Sequence, residues 1–599
     1  MVRESKQSKR NTVRIGGASG FWGDTALAVP QLLAGGEVDY LVFDYLAEVT
    51  MSILAAQRAK DAKAGYAVDF VQIMMREALP TLHARGIRVV ANAGGVNPLA
   101  CRDALLALAA ELGIAVNVGV VIGDDLGALA AEFRAAGVTE MFSGAPFPQR
   151  AASINAYLGA LPIAAALGAG CDVVITGRCV DSAVTLGVLM HEFGWRADEY
   201  DKLAQGTLAG HLIECGAQCT GGLFTDWEAV PDWENIGFPI VETQADGGFV
   251  ITKAPGTGGL VTPATVAEQL LYEIGDPRAY LVPDVSCDFT NVTMVQDGEH
   301  RVGVSGAIGR APSASYKLSA TFADGYRNTG FLTIVGEQAV AKARRTGQAL
   351  LTRMQHMLEA RGLPPFSETR IEVLGGEDMY GAHANTASRE VVLKMSAKCA
   401  SKESLELFAR EFAPAATSMA PGTLGLVGGR PSPTPVVRLF SFLWPKAELA
   451  VEVDVQGERV PVAIPVDGGF DASVIGPARR HTAGVMAADA PRVPLIRLAH
   501  GRSGDKGDKA NIGLIARRAE DLAALSAWLT PERVAAHFAH RAPSRVDRFD
   551  LPGLNAFNFV LHDVLGGGGM ASLHTDNLAK AYAQVLLAMD VPAPASFKS

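Results

Sequence analysis

TVRIGGASGFWGD (residues 12–24) runs a six-residue stretch of β-formers into a turn with glycines at 17, 20 and 23. A short apolar strand ending in such a turn opens a β-α-β unit. The texture repeats downstream in DYLVFD, IRVVANAGG, IAVNVGVVIGDD and CDVVITGR, with helical stretches over residues 51–63, 70–85 and 102–112 between them. Strands alternating with helices long enough for right-handed crossovers predict a doubly wound, mostly parallel α/β sheet over residues 13–225.

From 226 to 475 the pattern changes to an α+β region. Asp-Gly pairs at 246–247, 297–298 and 324–325 each separate two runs of β-formers, which predicts hairpins. Gln456-Gly457 predicts another, and helices are expected over 340–359 and 401–412. Residues 476–494, rich in Ala, Pro and Arg, read as a linker. Residues 495–591 read as a small α+β domain. Its expected order is a strand over 493–500, a glycine-rich loop, a strand over 510–516, a helix over 521–540, a strand over 556–564 and a helix over 575–589.

The 599 residues include 53 Lys and Arg against 63 Asp and Glu, a net charge of −10, with no basic stripe, so nucleic acid is not an expected partner. Seven scattered cysteines fit reduced thiols in a cytoplasmic protein. The basic start lacks an apolar run of signal-peptide length, and no apolar stretch approaches the roughly 20 residues a membrane span needs. A homo-oligomer is expected from size and low charge.

Chemistry-bearing residues gather at the predicted strand ends. Gly17, Ser19, Gly20 and Gly23 suit either the phosphates of NAD(P) or a tight turn capped by Asp24. Asp24 stands where a phosphate would sit, and no Tyr-x-x-x-Lys pair follows. Asp44 and Glu48 bring two carboxylates to the carboxyl edge, where open parallel sheets bind ligands; helix capping is the alternative. Asn92 and Asn97 flank a glycine pair and suit a carbonyl, a carboxylate or a plain turn. Arg178 suits bidentate binding of an anion, or pairing with Asp181.

A helix over 210–218 would put His211, Glu214, Cys215 and Gln218 on one face, an acid/base or nucleophile surface. A zinc site at His211, Cys215 and Cys219 lacks a second ligand pair, so no metal is expected. In AHGRSGDKGDKANIG, Arg502, Lys506 and Lys509 could hold an anion on a glycine-rich loop without Walker spacing.

Through GGASGFWGD, DYLAEVTM, NAGGVNP, TGRCVDSA and GHLIECGAQCTGG the chain resembles the acyclic terpene utilisation family AtuA over most of residues 13–475. Through AHGRSGDKGDKANIG and LGGGGMASLHTDNLAKAYAQVLL its end resembles the ferredoxin-like domain that often follows. The resemblance implies breakdown of branched terpenoid or carboxylic acids carried as coenzyme A thioesters, by lyase or hydratase chemistry. The residues alone leave two other readings: an NAD(P)-dependent oxidoreductase and a non-catalytic acyl-CoA-binding or scaffold subunit.

Overall fold

The computed structural model describes residues 11–35, 37–426, 428–477, 479–484, 490–595 and 597. The first ten residues and part of the expected linker, 478 and 485–489, lie outside them. The five expected strands form: β1 (Thr12–Gly17), β2 (Tyr40–Phe43), β3 (Arg88–Ala91), β4 (Val118–Ile122) and, after β5 (Ser153–Ala156), β6 (Val173–Thr176). Side chains along them alternate between two cores: Tyr40 and Val42 face one, Leu41 and Phe43 the other. Both faces are covered by helices, the arrangement that lets a parallel strand be apolar throughout.

The sheet is mixed rather than mostly parallel. It has eleven strands, and only β1–β2, β2–β3, β3–β6 and β6–β4 are parallel pairs. Antiparallel β7 (Pro239–Gln244) and β8 (Phe249–Lys253) extend it beyond β1, followed by Val302–Ser305 and Thr293–Gln296. The pair Glu452–Val455 and Glu458–Pro461 extends it beyond β4. Three of the expected hairpin turns, at 246–247, 297–298 and 456–457, supply these flanks. Strands from both sides of residue 225 thus share one sheet.

Asp324-Gly325 does not turn the chain. It interrupts the register of one long strand, Ser315–Val335, with Gly325 at φ 73°, so the pair makes a bulge. That strand organises a second sheet, pairing with β5, Thr434–Pro445 and Glu390–Cys399. Among the described residues no helix is long and apolar enough to cross a membrane.

The C-terminal domain is a four-stranded antiparallel sheet against short helices, with a strand Val546–Leu551 not anticipated from sequence. Its expected glycine-rich loop is instead a hairpin of Ala499–Lys506 with Lys509–Ala516. The glycines serve close packing: a Cβ on Gly504 would lie 2.6 Å from Glu273 Cγ, and one on Gly513 2.4 Å from Leu271 Cβ. The described part of the linker is docked, since the backbone N–H of His481 donates to Asp550 and that of Gly484 to Ala523 O.

Two asparagines join the domains. Asn511, 2% exposed, donates from Nδ2 to Leu271 O (2.7 Å) and accepts from the Glu273 N–H (2.9 Å). Asn558 Nδ2 donates to Ile274 O and Gly275 O. Truncating Asn511 strands a buried N–H and a buried carbonyl, at a cost of about 1–3 kcal/mol for each group left unsatisfied. Asn511→Ala is expected to lower the unfolding free energy by about 2 kcal/mol, read from denaturant midpoints.

Candidate functional site

The turn after β1 is closed by the chain itself. A Cβ on Gly17 would lie 2.5 Å from Ile213 O, and one on Gly20 2.7 Å from the Gly216 nitrogen. Asp24 accepts from the N–H groups of Gly20 (2.8 Å) and Thr25 (2.7 Å), and helix Ala28–Gly35 begins only after further turn residues. Backbone and carboxylate occupy the space a pyrophosphate would need, so the NAD(P) reading of Gly17, Gly20 and Gly23 is set aside. Gly17 and Gly20 let the turn press against residues 213–216, while Ser19 donates to Asp44 O (3.1 Å). Gly23 stays exposed at the rim of the turn, with open space where a Cβ would stand.

At the ends of β2 and β3, Asn92 donates to the buried Asp44 carboxyl and accepts from the Tyr45 N–H (2.7 Å). Burial, then the nearby Asp181 and Glu214 carboxylates, push Asp44 well above the usual carboxylate range. Asn97 spends its amide on Ala62 O and Ala64 O, a loop-holding role in place of the expected ligand contact.

Glu48 lies at the first turn of helix Glu48–Arg58 and accepts from the Tyr157 hydroxyl. Burial would raise its pKa, but Lys317, Arg178 and that hydroxyl hold it at about 2. A carboxylate so firmly ionised is suited to balancing neighbouring cations rather than to carrying a proton.

Arg178 follows β6. Its guanidinium is buried, donates to Cys179 O (2.9 Å) and Asp181 Oδ1 (2.7 Å), and lies 4.3 Å from the Tyr157 ring centroid. The Asp181 side chain keeps 36% exposure, so the group opens to water. Asp124, at the end of β4, accepts the Arg178 N–H (2.8 Å), and a Cβ on Gly177 would collide with its carboxyl.

Helix Tyr200–Ile213 stops earlier than expected, with Gly216 at φ 59°, so Cys215 and Gln218 lie on a turn. His211 and Glu214 keep their one-turn spacing: Nδ1 is 3.0 Å from Glu214 Oε1, and Nε2 is 3.1 Å from Leu270 O. A carbonyl only accepts, so Nε2 carries a proton and one further proton is shared between Nδ1 and Glu214. Burial, opposed by His211 and reinforced by Asp181, raises Glu214 to about 7. Its Oε2 is buried without a hydrogen-bond partner. Burial and the carboxylates of Glu214, Glu273 and Asp44 push the Cys215 thiol well up, which disfavours the thiolate a nucleophile needs. Gln218 accepts from Arg502 Nη2 (2.7 Å) across the domain boundary.

The C-terminal hairpin adds its charges to this neighbourhood. Lys506 Nζ lies 3.3 Å from Glu273 Oε2, and Lys580 Nζ lies 2.8 Å from Glu273 Oε1. Burial opposes the charge on Lys506, but Glu273, Tyr280 and Asp181 hold its pKa well above the usual range. The Lys506 side chain is 51% exposed, so a charged ammonium stands in a wet opening. Burial and Glu273 raise Asp505 beside it to about 7. Lys509 points elsewhere, 4.3 Å from the Phe142 ring centroid.

Asp44, Asp181, Arg178, Glu214, Cys215 and Lys506 therefore share one electrostatic neighbourhood. Sequence reasoning missed Tyr157, Lys317, Asp124, Glu273, Asp505, Tyr280 and Lys580. Of these, Asp124 ends a run already read as a strand; Glu273 shows itself only in the structure, where its φ of 57° places it in the left-handed region that non-glycine residues seldom adopt. Among the described residues no group of three His, Cys, Asp or Glu side chains is arranged to hold a metal ion.

Because Glu214 is raised from 4.5 to about 7, the native state binds its proton more tightly than the unfolded chain. The stabilisation is full below the unfolded pKa and is lost as pH rises through about 7, with a slope of at most about 1.4 kcal/mol per pH unit. In Glu214→Gln that component of the pH dependence is expected to vanish from urea midpoints measured across this window.

Among proteins of known function and among solved structures, none matches. The family model described as "Acyclic terpene utilisation family protein AtuA" matches residues 13–455, and that of the AtuA ferredoxin-like domain matches residues 493–592. The chain belongs to the acyclic terpene utilisation family AtuA and carries the AtuA ferredoxin-like domain at its C-terminal end.

Proposed function

We propose that the crevice performs acid–base chemistry on a branched carboxylate, carried as a coenzyme A thioester, in the hydration or lyase steps of acyclic terpenoid breakdown. The observation that carries this reading is Glu214 Oε2: a buried carboxyl oxygen without a partner, on a group titrating near neutrality. Unsatisfied buried polar atoms are rare, and a carboxyl with pKa near the working pH is suited to moving protons. His211 holds the other carboxyl oxygen and shares its proton.

In the forward step, Oε2 takes the proton next to the substrate carbonyl, and the electron pair left on carbon moves toward the carbonyl oxygen. The negative charge developing there suits a cation, and Lys506 supplies it. The Cys215 thiol stays protonated, and Asp181 holds the Arg178 guanidinium in place.

Turnover of branched 2-enoyl and 3-hydroxyacyl coenzyme A thioesters, followed by chromatography, tests the assignment. Glu214→Gln is expected to lower kcat by about 100-fold or more, and Cys215→Ser to stay within a few-fold of the parent. Wild-type turnover in Glu214→Gln would contradict the reading.

A further inference from the structure

A second cleft, of about 390 Å³, opens where the strands Ser315–Val335 and Glu390–Cys399 meet residues 572–577 of the C-terminal domain. Arg327, Lys394 and His574 line it, together with the hydroxyls of Thr329, Ser396 and Ser432. It belongs to different walls from the Glu214 crevice.

The charge around this cleft is unbalanced. Lys394, 9% exposed, donates to Glu372 Oε2 (2.8 Å), Leu573 O (3.0 Å) and Thr575 Oγ1 (3.1 Å). Arg370 lies 3.2 Å from the same Glu372 carboxylate. Arg541, 7% exposed, sets Nη1 against His574 Nδ1 and has a buried Nε without a partner. Arg327 uses Nη1 on Met570 O (3.0 Å) and Ser572 O (3.3 Å). Its Nε and Nη2 donate to no protein atom among the described residues. Lys394 and Arg370 thus share the Glu372 carboxylate, with Arg327 and Arg541 close by and the carboxylates of Asp576 and Asp508 further along the wall.

His574 registers that field: burial, then Arg370 and Arg541, hold its imidazole down at about 3. The ring is neutral at physiological pH, and with Nδ1 facing Arg541 its proton sits on Nε2 as a donor. Like charges gathered at a polar opening destabilise the empty state and favour a polyvalent anion.

We propose that this cleft binds a phosphate monoester. A dianion with three acceptor oxygens matches the charge excess, the fork of Arg327 Nε and Nη2, and the hydroxyl-bearing walls; a singly charged carboxylate matches less of it. An acyl chain would find little apolar surface here.

Calorimetric titration of the full chain with inorganic phosphate tests the site. Saturable binding that weakens with added salt is expected. Arg327→Gln should lower the affinity by tenfold or more. Because Arg327 also holds the 570–572 backbone, Ser432→Glu provides a second variant: this exposed residue makes no hydrogen bond in the described structure, and its added carboxylate should repel the anion while the unliganded melting temperature does not fall. Titration with coenzyme A and with dephospho-coenzyme A, which lacks the terminal monoester, separates the sources. Affinity for coenzyme A alone that falls in Arg327→Gln assigns the phosphate to a thioester carrier, whereas phosphate binding with equal response to both carriers assigns it to a free phosphorylated metabolite. Either result supports the site. Absence of binding by inorganic phosphate and coenzyme A, or binding unchanged in both variants, overturns it.

Discussion

Glu273 is the residue on which the crevice depends. Its backbone N–H is bonded by Asn511 of the second domain, and its carboxylate sits between Lys506 and Lys580 of the same domain. Its own chain segment follows helix Pro263–Leu271, whose Leu270 carbonyl orients His211. One residue held at φ 57° therefore ties the ammonium of one domain to the proton-sharing pair of the other. Burying and aligning these groups is costly, and the asparagine contacts between domains offset that cost.

The electrostatic logic follows. Asp44, Glu214, Glu273 and Asp505 gather in one neighbourhood, where burial raises each carboxyl and neighbouring cations lower Glu273. Glu273, paired with Lys506 and Lys580, and Glu48, in the field of Lys317 and Arg178, are held at about 2; Glu214 and Asp505 rise to about 7. Carboxyl groups whose surroundings drive their pKa values apart divide the labour of charge-holding and proton transfer.

Much of the fold was legible because period-two burial on both faces leaves apolar runs, and β1–β4 and β6 carry them. The antiparallel flanks were partly legible through their turns. Asp324-Gly325 misled because the same dipeptide that favours a hairpin also admits a bulge, and only pairing with Thr434–Pro445 decides between them. The glycines of the C-terminal hairpin likewise read as a loop until Leu271 and Glu273 are seen pressing on them. At the site, His211, Glu214, Arg178 and Lys506 were recognisable from residue type and local order. Tyr157 and Glu273 were not, because their roles arise from contacts across sheets and domains that leave no local spacing.

On the proposed reading, Glu214 and Lys506, contributed by different domains, act on one bound molecule. The most direct measurement is wash-in of solvent deuterium at the carbon next to the thioester carbonyl, followed by mass spectrometry in the parent, Glu214→Gln and Lys506→Gln chains. Exchange is expected in the parent and its loss in both variants. Exchange in Lys506→Gln at the parent rate would contradict that reading.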